Sequence, residues 1–170
     1  MTQQSEKETL AFRAVIRASS GLYFLEECLR NSHGGTDPAY SRSRYILLSY
    51  NFELLLKARL ILVSKYETRE DIVSEIKTHN LTQLFKKFPK GVPSDIGIVN
   101  ISRRQNNGFG EYVIEMTDKT IIVIQDFIDV RYDFDKDTLR SIDNDEVNRL
   151  QQEIKIMHGM VKKIQAMIPE

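Results

Sequence analysis

Hydrophobic residues recur at helical spacing near both ends of the chain. From Glu6 to Arg30 they alternate steps of four and three, which places them on one stripe of a helix. That stripe consists of Ala11, Val15, Ala18, Leu22, Leu25 and Leu29. The same alternation continues to the C-terminus through Val147, Leu150, Ile154, Met157, Val161, Ile164 and Ile168. The pattern therefore predicts a long amphipathic helix at each end.

The segment from Ser41 to Tyr66 is apolar on nearly all sides, which is typical of a central helix with several neighbours. Its narrow polar strip includes Glu53 and Lys57, which stand in the favourable i, i+4 order. These charges argue for a core helix and against a membrane span. The turn-forming residues from Asn31 to Pro38 predict a loop before it.

Two short helices are predicted next. Thr68 followed by acidic residues resembles a helix start, and this helix is expected to reach Lys77. A further helix is predicted from Leu81 to Phe88, because its apolar residues follow i, i+3, i+4 and i+7. The second of these two helices is expected to pack on the central helix.

The signal between Val92 and Val130 is weaker. Ser94 and Asp95 predict a brief helix through Arg104. The β-branched run from Thr120 to Ile124 is compatible with a strand. A helix from Thr117 is preferred, because Thr117–Asp118 supplies a start and five later residues share one face: Thr120, Ile121, Ile124, Phe127 and Ile128.

These elements together predict an all-α fold. The expected architecture is an antiparallel helical bundle of about five to seven helices in a single domain spanning residues 1–170. The length fits one domain, and the 41% of apolar residues can supply its core.

Charge and cysteine content narrow the function. The 24 basic residues equal the 24 acidic residues, so no net field attracts nucleic acid or an anionic membrane. The single cysteine, Cys28, suits a small buried side chain in a reducing compartment. The polar N-terminus lacks the plan of a signal peptide, so a cytoplasmic protein without a membrane segment is expected.

The three histidines offer little support for a metal site, because none has a second ligand at metal-binding spacing. No cofactor motif appears, and no cofactor is expected. His79 could act as a general base, but a helix-capping turn with Thr78 and Asn80 is favoured. Glu53 and Lys57 could form a polar site, although an ion pair bridging neighbouring helices is favoured.

Two parts of the sequence carry basic residues that could bind a ligand. Arg103 and Arg104 could contact phosphates together with Lys86 and Lys87, although solvated helix ends explain these positions equally well. The string that begins with Arg131 and Tyr132 follows an apolar segment directly. Here an arginine can anchor a loop or bind a ligand, and anchoring is slightly favoured.

Three strings in this order resemble HEPN-domain proteins: Phe52 to Ala58, Thr78 to Phe85, and Val130 to Tyr132. In that family an apolar helix with a Glu-x-x-x-Lys pattern precedes a His-Asn/Asp-Leu-x-x-Leu helix, and an Arg-Tyr pair follows later. The resemblance covers about half the chain. It implies an up-and-down helical bundle, frequent homodimers, and roles in RNA cleavage, toxin–antitoxin pairs, antiviral defence or nucleotide binding in prokaryotes.

The ribonucleases of that family carry Arg-x(4-6)-His, and this chain lacks that motif. No arginine stands at the required spacing before His33, His79 or His158, and no histidine stands at that spacing after Arg131. The leading hypothesis is therefore a non-catalytic HEPN-like module.

The expected module dimerises and binds a protein partner such as an antitoxin, or RNA or a nucleotide through Lys57, Arg103 and Arg104. One alternative is a ribonuclease toxin with a variant site built from Arg131, Tyr132 and His79. Another alternative is a structural helical adaptor.

Overall fold

A long helix lies near each end of the chain, in a computed structural model that describes residues 5–31, 38–106, 109–126 and 144–169. Helix α1 spans Glu6–Asn31 and α2 spans Pro38–Val63. The short helices α3 and α4 cover Arg69–Ile76 and Leu81–Lys86. The C-terminal helix, α5, spans Asn144–Gln165.

The two long amphipathic helices follow the predicted pattern. All six stripe residues of α1 are buried, and so are Leu150, Ile154, Met157, Val161 and Ile164 of α5. α1 packs against both α2 and α5. A β-carbon on Gly21 of α1 would lie 2.3 Å from Oδ1 of the buried Asn51, so α1 approaches α2 closely at this glycine.

Helix α2 forms the centre of the helical layer. Residues 51–56 and 58–61 are all buried, as its apolar sequence predicts. The helix begins at Pro38, a residue assigned above to the preceding loop. Proline is compatible with the first turn of a helix, because its missing N–H would have no partner there and its φ angle is already helical.

Side-chain caps begin both short helices. The Thr68 side chain accepts a hydrogen bond from the Asp71 N–H, and the Asn80 side chain accepts one from the Gln83 N–H. These bonds satisfy backbone donors that a helix start otherwise leaves unpaired. Ile72 of α3, and Leu81 and Leu84 of α4, are buried.

The all-α prediction is wrong, because the middle of the chain forms a three-stranded antiparallel sheet. The strands are β1 (Ile98–Asn106), β2 (Phe109–Met116) and β3 (Ile121–Gln125), and they pair in the order β1-β2-β3. The protein is therefore a mixed α/β protein, and the predicted helical bundle is wrong as well.

The helix predicted from Ser94 to Arg104 is limited to a short 3-10 turn at Val92–Ile96. Gly97 follows with a φ of 93°, a left-handed conformation that ends the turn at little steric cost. β1 then begins at Ile98. Ile98 and Ile101 are buried, whereas residues 102–106 are exposed, so the core fixes only the first half of this strand.

The helix predicted from Thr117 is wrong because its proposed start is a hairpin turn. The Asp118 carboxylate accepts the Thr120 N–H at 2.9 Å, and Lys119 has a left-handed φ of 69°. This backbone hydrogen bond lowers the pKa of Asp118. In β3 the side chains of Ile122 and Ile124 are buried while Ile121 is exposed, which is the alternation of a half-buried strand. Phe127 and Ile128 lie outside the described residues.

Candidate functional site

A buried glutamate on α2 is the centre of the first polar cluster. Glu53 is only 2% exposed, although carboxylates rarely lie inside a protein without a partner. Lys57 lies one helical turn later, and its Nζ is 2.7 Å from Glu53 Oε1. The helical spacing therefore places an acid and a base in direct contact at the edge of the core.

His79 is the second partner of Glu53. Its Nδ1 lies 3.0 Å from Oε1 and 3.2 Å from Oε2 of that carboxylate. Asn80, and not His79, caps α4, because the Asn80 side chain accepts the hydrogen bond from the Gln83 N–H. The contact of His79 with Glu53 therefore fastens the segment before α4 to the central helix, while about half of the His79 side chain is exposed.

A second polar cluster joins the three strands. Arg103 of β1 stands directly opposite Tyr112 of β2, and Asp126 follows the end of β3. Arg103 Nε donates to Asp126 Oδ2 at 2.9 Å, and the Tyr112 hydroxyl donates to the same oxygen at 3.1 Å. Asp126 and Tyr112 are both buried, so this contact lies inside the protein.

Burial raises the pKa of the Tyr112 hydroxyl above its ordinary value, and the negative charge of Asp126 raises it further. A backbone hydrogen bond from Leu81, the first residue of α4, opposes part of this rise in pKa. Tyr112 therefore remains protonated at neutral pH and acts as a donor to Asp126. Leu81 also follows His79 by two residues, so both polar clusters adjoin the start of α4.

Arg104 belongs to a third contact, on the opposite face of the sheet, because adjacent strand residues point to opposite faces. Its Nε lies 3.1 Å from Glu111 Oε2, and Asn106 Nδ2 donates to Glu111 Oε1 at 2.9 Å. Arg104 and Glu111 are direct cross-strand partners. The two neighbouring arginines thus serve different faces and do not form one basic patch.

The structure therefore brings together some of the predicted residues and separates others. Lys57 and His79 meet on Glu53, Arg103 lies in the second cluster, and Arg104 lies in the third. The predicted candidates Arg131 and Tyr132 lie outside the described residues.

Sequence reasoning missed Tyr112, Asp126 and Glu111 as members of these clusters. Their contacts depend on the antiparallel register, which pairs Arg103 with Tyr112 and Arg104 with Glu111. The available signal was the β-branched run of β3, which was compatible with a strand. Interpreted as a strand, that run predicts an antiparallel hairpin with the segment before it, and therefore cross-strand partners for the polar residues of that segment.

A cleft of about 340 Å³ lies apart from these clusters. Lys7 and Arg59 line it, but Lys7 binds Glu67 and the Ser64 carbonyl, and Arg59 binds both carboxylate oxygens of Asp95. Lys7 and Arg59 therefore have carboxylate partners, as Lys57, Arg103 and Arg104 do.

Within the described residues, no group of three His, Cys, Asp or Glu side chains is arranged to hold a metal ion. None of the helices there combines the length and apolar content that a membrane crossing requires. Comparison of the chain with protein-family models, with curated proteins and with solved structures gave no match in any of the three.

Proposed function

We propose that this protein is a non-catalytic HEPN-like module that acts by binding protein, as a dimer, in a prokaryotic defence or toxin–antitoxin context. The resemblance rests on the segments that include Glu53, Lys57 and His79, which lie far apart in the sequence. Their mutual contact gives these residues a structural reason to occur together, since they join α2 to the start of α4. The sheet packs against this helical core and buries Ile114, Ile122 and Ile124 in it.

One observation carries the proposal: each described basic candidate already contacts a carboxylate. Lys57 and His79 share Glu53, Arg103 contacts Asp126, and Arg104 contacts Glu111. A phosphate that recruited Arg103 would remove a partner from the buried Asp126. Because an uncompensated buried charge is costly, these contacts favour a structural role for the cations over RNA or nucleotide binding.

RNA binding provides the test. We expect the wild-type protein to bind a labelled single-stranded RNA weakly, and Arg103→Gln and Arg104→Gln to leave the salt dependence of that binding unchanged. A lost phosphate contact would instead lower the salt slope by about 0.7. Fluorescence anisotropy at several salt concentrations measures this slope, and a reduced slope in either variant would contradict the proposal.

Glu111→Gln is the matched control. It keeps the size of the side chain but removes the charge that faces Arg104. If Arg104 is neutralised by Glu111 in the wild-type protein, this variant binds RNA more tightly while Arg104→Gln does not bind less tightly. The opposite order would assign Arg104 to an RNA contact.

A ribonuclease is the second candidate, and the contact of His79 with Glu53 favours it. A carboxylate on one ring nitrogen fixes the orientation of an imidazole and leaves the other ring nitrogen to act as a general acid or base. Arg131 and Tyr132 are the proposed remaining members of that site. This candidate requires the wild-type protein to degrade RNA on expression, with His79→Ala and Arg131→Ala each abolishing the degradation.

A further inference from the structure

We infer that the outer face of α1 binds the same face of a second copy of this chain, with the two helices antiparallel. The inference rests on the proposed function, because it names the surface through which the module dimerises. It concerns four residues, called the α1 outer face below: Phe12, Ile16, Tyr23 and Phe24.

The α1 outer face is unusually apolar for a surface helix. The exposed fractions of its side chains are 45% for Phe12, 41% for Ile16, 63% for Tyr23 and 59% for Phe24. The other described large apolar side chains that are exposed are distributed over α2, α3, the sheet and a loop. Clustered exposed apolar residues indicate an interaction site, whereas scattered ones do not.

The spacing of these residues forms a line that a second helix can follow. Ile16 comes four residues after Phe12, and Tyr23 comes seven after Ile16, so all three lie on one side of α1. Ser19 and Ser20 occupy the middle of the line. Small side chains at a crossing point allow two helix axes to approach closely, so this middle is the expected position of a two-fold axis.

Tyr23 is held in place before any partner binds. Its ring centroid is 4.9 Å from that of His158 on α5, and His158 Nε2 lies 3.3 Å from Glu26 Oε1. A side chain already ordered by its neighbours loses less conformational entropy on association. Tyrosine is also among the residues enriched at the energetic centre of interfaces.

Charge selects the antiparallel orientation. The first half of the helix carries the exposed Arg13 and Arg17, which lack a carboxylate partner among the described residues. The second half carries Glu26 and Glu27 together with one arginine, Arg30, which contacts both carboxylates, so this half remains net negative. Antiparallel helices with a two-fold axis near Ser20 place each basic half beside the acidic half of the other copy, whereas parallel helices place arginine beside arginine.

Site-specific cross-linking tests both the surface and the orientation. The experiment uses the full chain with Cys28→Ser, so that one introduced thiol is present. Ser20→Cys lies at the expected two-fold axis, and Gln152→Cys, exposed on α5, is the matched control. With a short bis-maleimide, Ser20→Cys is expected to give a covalent dimer several-fold faster than Gln152→Cys.

A lysine substitution provides the second measurement. Ile16→Lys places a charge in the α1 outer face and is expected to weaken dimerisation at least about tenfold, whereas Gln151→Lys on α5 leaves it unchanged. Sedimentation equilibrium measures the dimer dissociation constant of each variant. Unchanged circular dichroism confirms that each variant remains folded.

The outcomes separate the inference from the proposed function. If the wild type is a dimer that Ile16→Lys does not weaken and Ser20→Cys does not trap, the interface is elsewhere and only the inference fails. If the wild type is a monomer, both the inference and the dimer of the proposed function fail. RNA cleavage by the wild type overturns the proposed function whichever surface forms the dimer.

Discussion

Helices α1 and α5 pack side by side, and each buries one apolar stripe, yet their outer faces differ. α1 exposes Phe12, Ile16, Tyr23 and Phe24. On the described part of α5 no large apolar side chain is exposed, and its outer face carries residues such as Gln151, Gln152 and Lys155. The fold needs only the inner faces, so the apolar outer face of α1 calls for a different explanation, which we attribute to binding.

The basic residues of the polar clusters differ from Arg13 and Arg17 of α1 in the same way, because the former contact carboxylates. The cations that resemble a nucleic-acid site are in contact with Glu53, Asp126 and Glu111, whereas Arg13 and Arg17 border the α1 outer face without a carboxylate partner in the described residues. Charge at the clusters joins secondary-structure elements together. The charges of Arg13 and Arg17 on α1 remain available to a partner.

The largest expected effect tests the claim that the two inner faces are equivalent. Leu22 of α1 and Met157 of α5 are both fully buried. Leu22→Ala and Met157→Ala each remove buried apolar volume and are expected to lower the free energy of unfolding by about 2–5 kcal/mol. Urea denaturation measures both values. A loss below about 1 kcal/mol at either position would show that its helix contributes little to the core.

Alanine substitution of one glycine on each helix is expected to change the stability by a smaller amount and with opposite signs. A β-carbon at Gly21 of α1 would lie within 3 Å of three atoms of the buried Asn51 amide, whereas a β-carbon at Gly159 of α5 meets nothing within 4 Å. Gly21→Ala is therefore expected to destabilise the protein by about 1–3 kcal/mol through overpacking. Gly159→Ala is expected to stabilise it by about 0.5–1 kcal/mol through helix propensity.

Thermal and urea denaturation of the two alanine variants measure both changes in stability. Equal effects at both glycines would contradict the close approach of α1 to α2.

The next comparison is between the buried hydroxyl of Tyr112 and the exposed hydroxyl of Tyr23. Tyr112→Phe removes the hydrogen bond to Asp126 and is expected to cost about 1–2 kcal/mol at neutral pH. Because the pKa of Tyr112 is raised in the folded protein, its contribution to stability is complete below about pH 10 and falls as pH rises above that value.

Urea denaturation at increasing alkaline pH measures this effect. The wild type is expected to lose stability more steeply than Tyr112→Phe, and Tyr23→Phe controls for the removal of a hydroxyl. Identical slopes for the wild type and Tyr112→Phe would contradict the raised pKa that burial and Asp126 give to the Tyr112 hydroxyl.

The smallest effect on unfolding is expected at the outer faces themselves. Under conditions in which the protein is monomeric, Ile16→Lys and Gln151→Lys should each change the free energy of unfolding by no more than about 0.5 kcal/mol. Both side chains are exposed, so neither substitution leaves a cavity. A larger loss for Ile16→Lys would indicate that Ile16 supports the fold, and its exposure would need no binding partner.

The inner faces of α1 and α5 could be predicted because a buried helix imposes a period of 3.6 on its own sequence. The caps at Thr68 and Asn80 are similarly local, and the structure confirms a helix start after each. Helix α2 was predictable in its centre, although Pro38 begins the helix instead of preceding it.

The sheet was harder to predict, because it depends on pairing between strands and not on the sequence of one segment alone. Thr117 and Asp118 offer the same side-chain oxygens to a helix start and to a hairpin turn, and only the pairing of β3 with β2 decides between them. The partners of Arg103 and Arg104 were hidden for the same reason. Glu111 and Asp126 become their neighbours only when the strands pair in this register.

Sedimentation velocity of the wild-type protein mixed with a labelled single-stranded RNA, recorded at the wavelengths of both the protein and the label, tests the central claim most directly. We predict that the protein sediments with twice the mass of the chain while the intact RNA sediments separately. A monomer that carries the RNA, or a label that sediments as short fragments, would contradict the account.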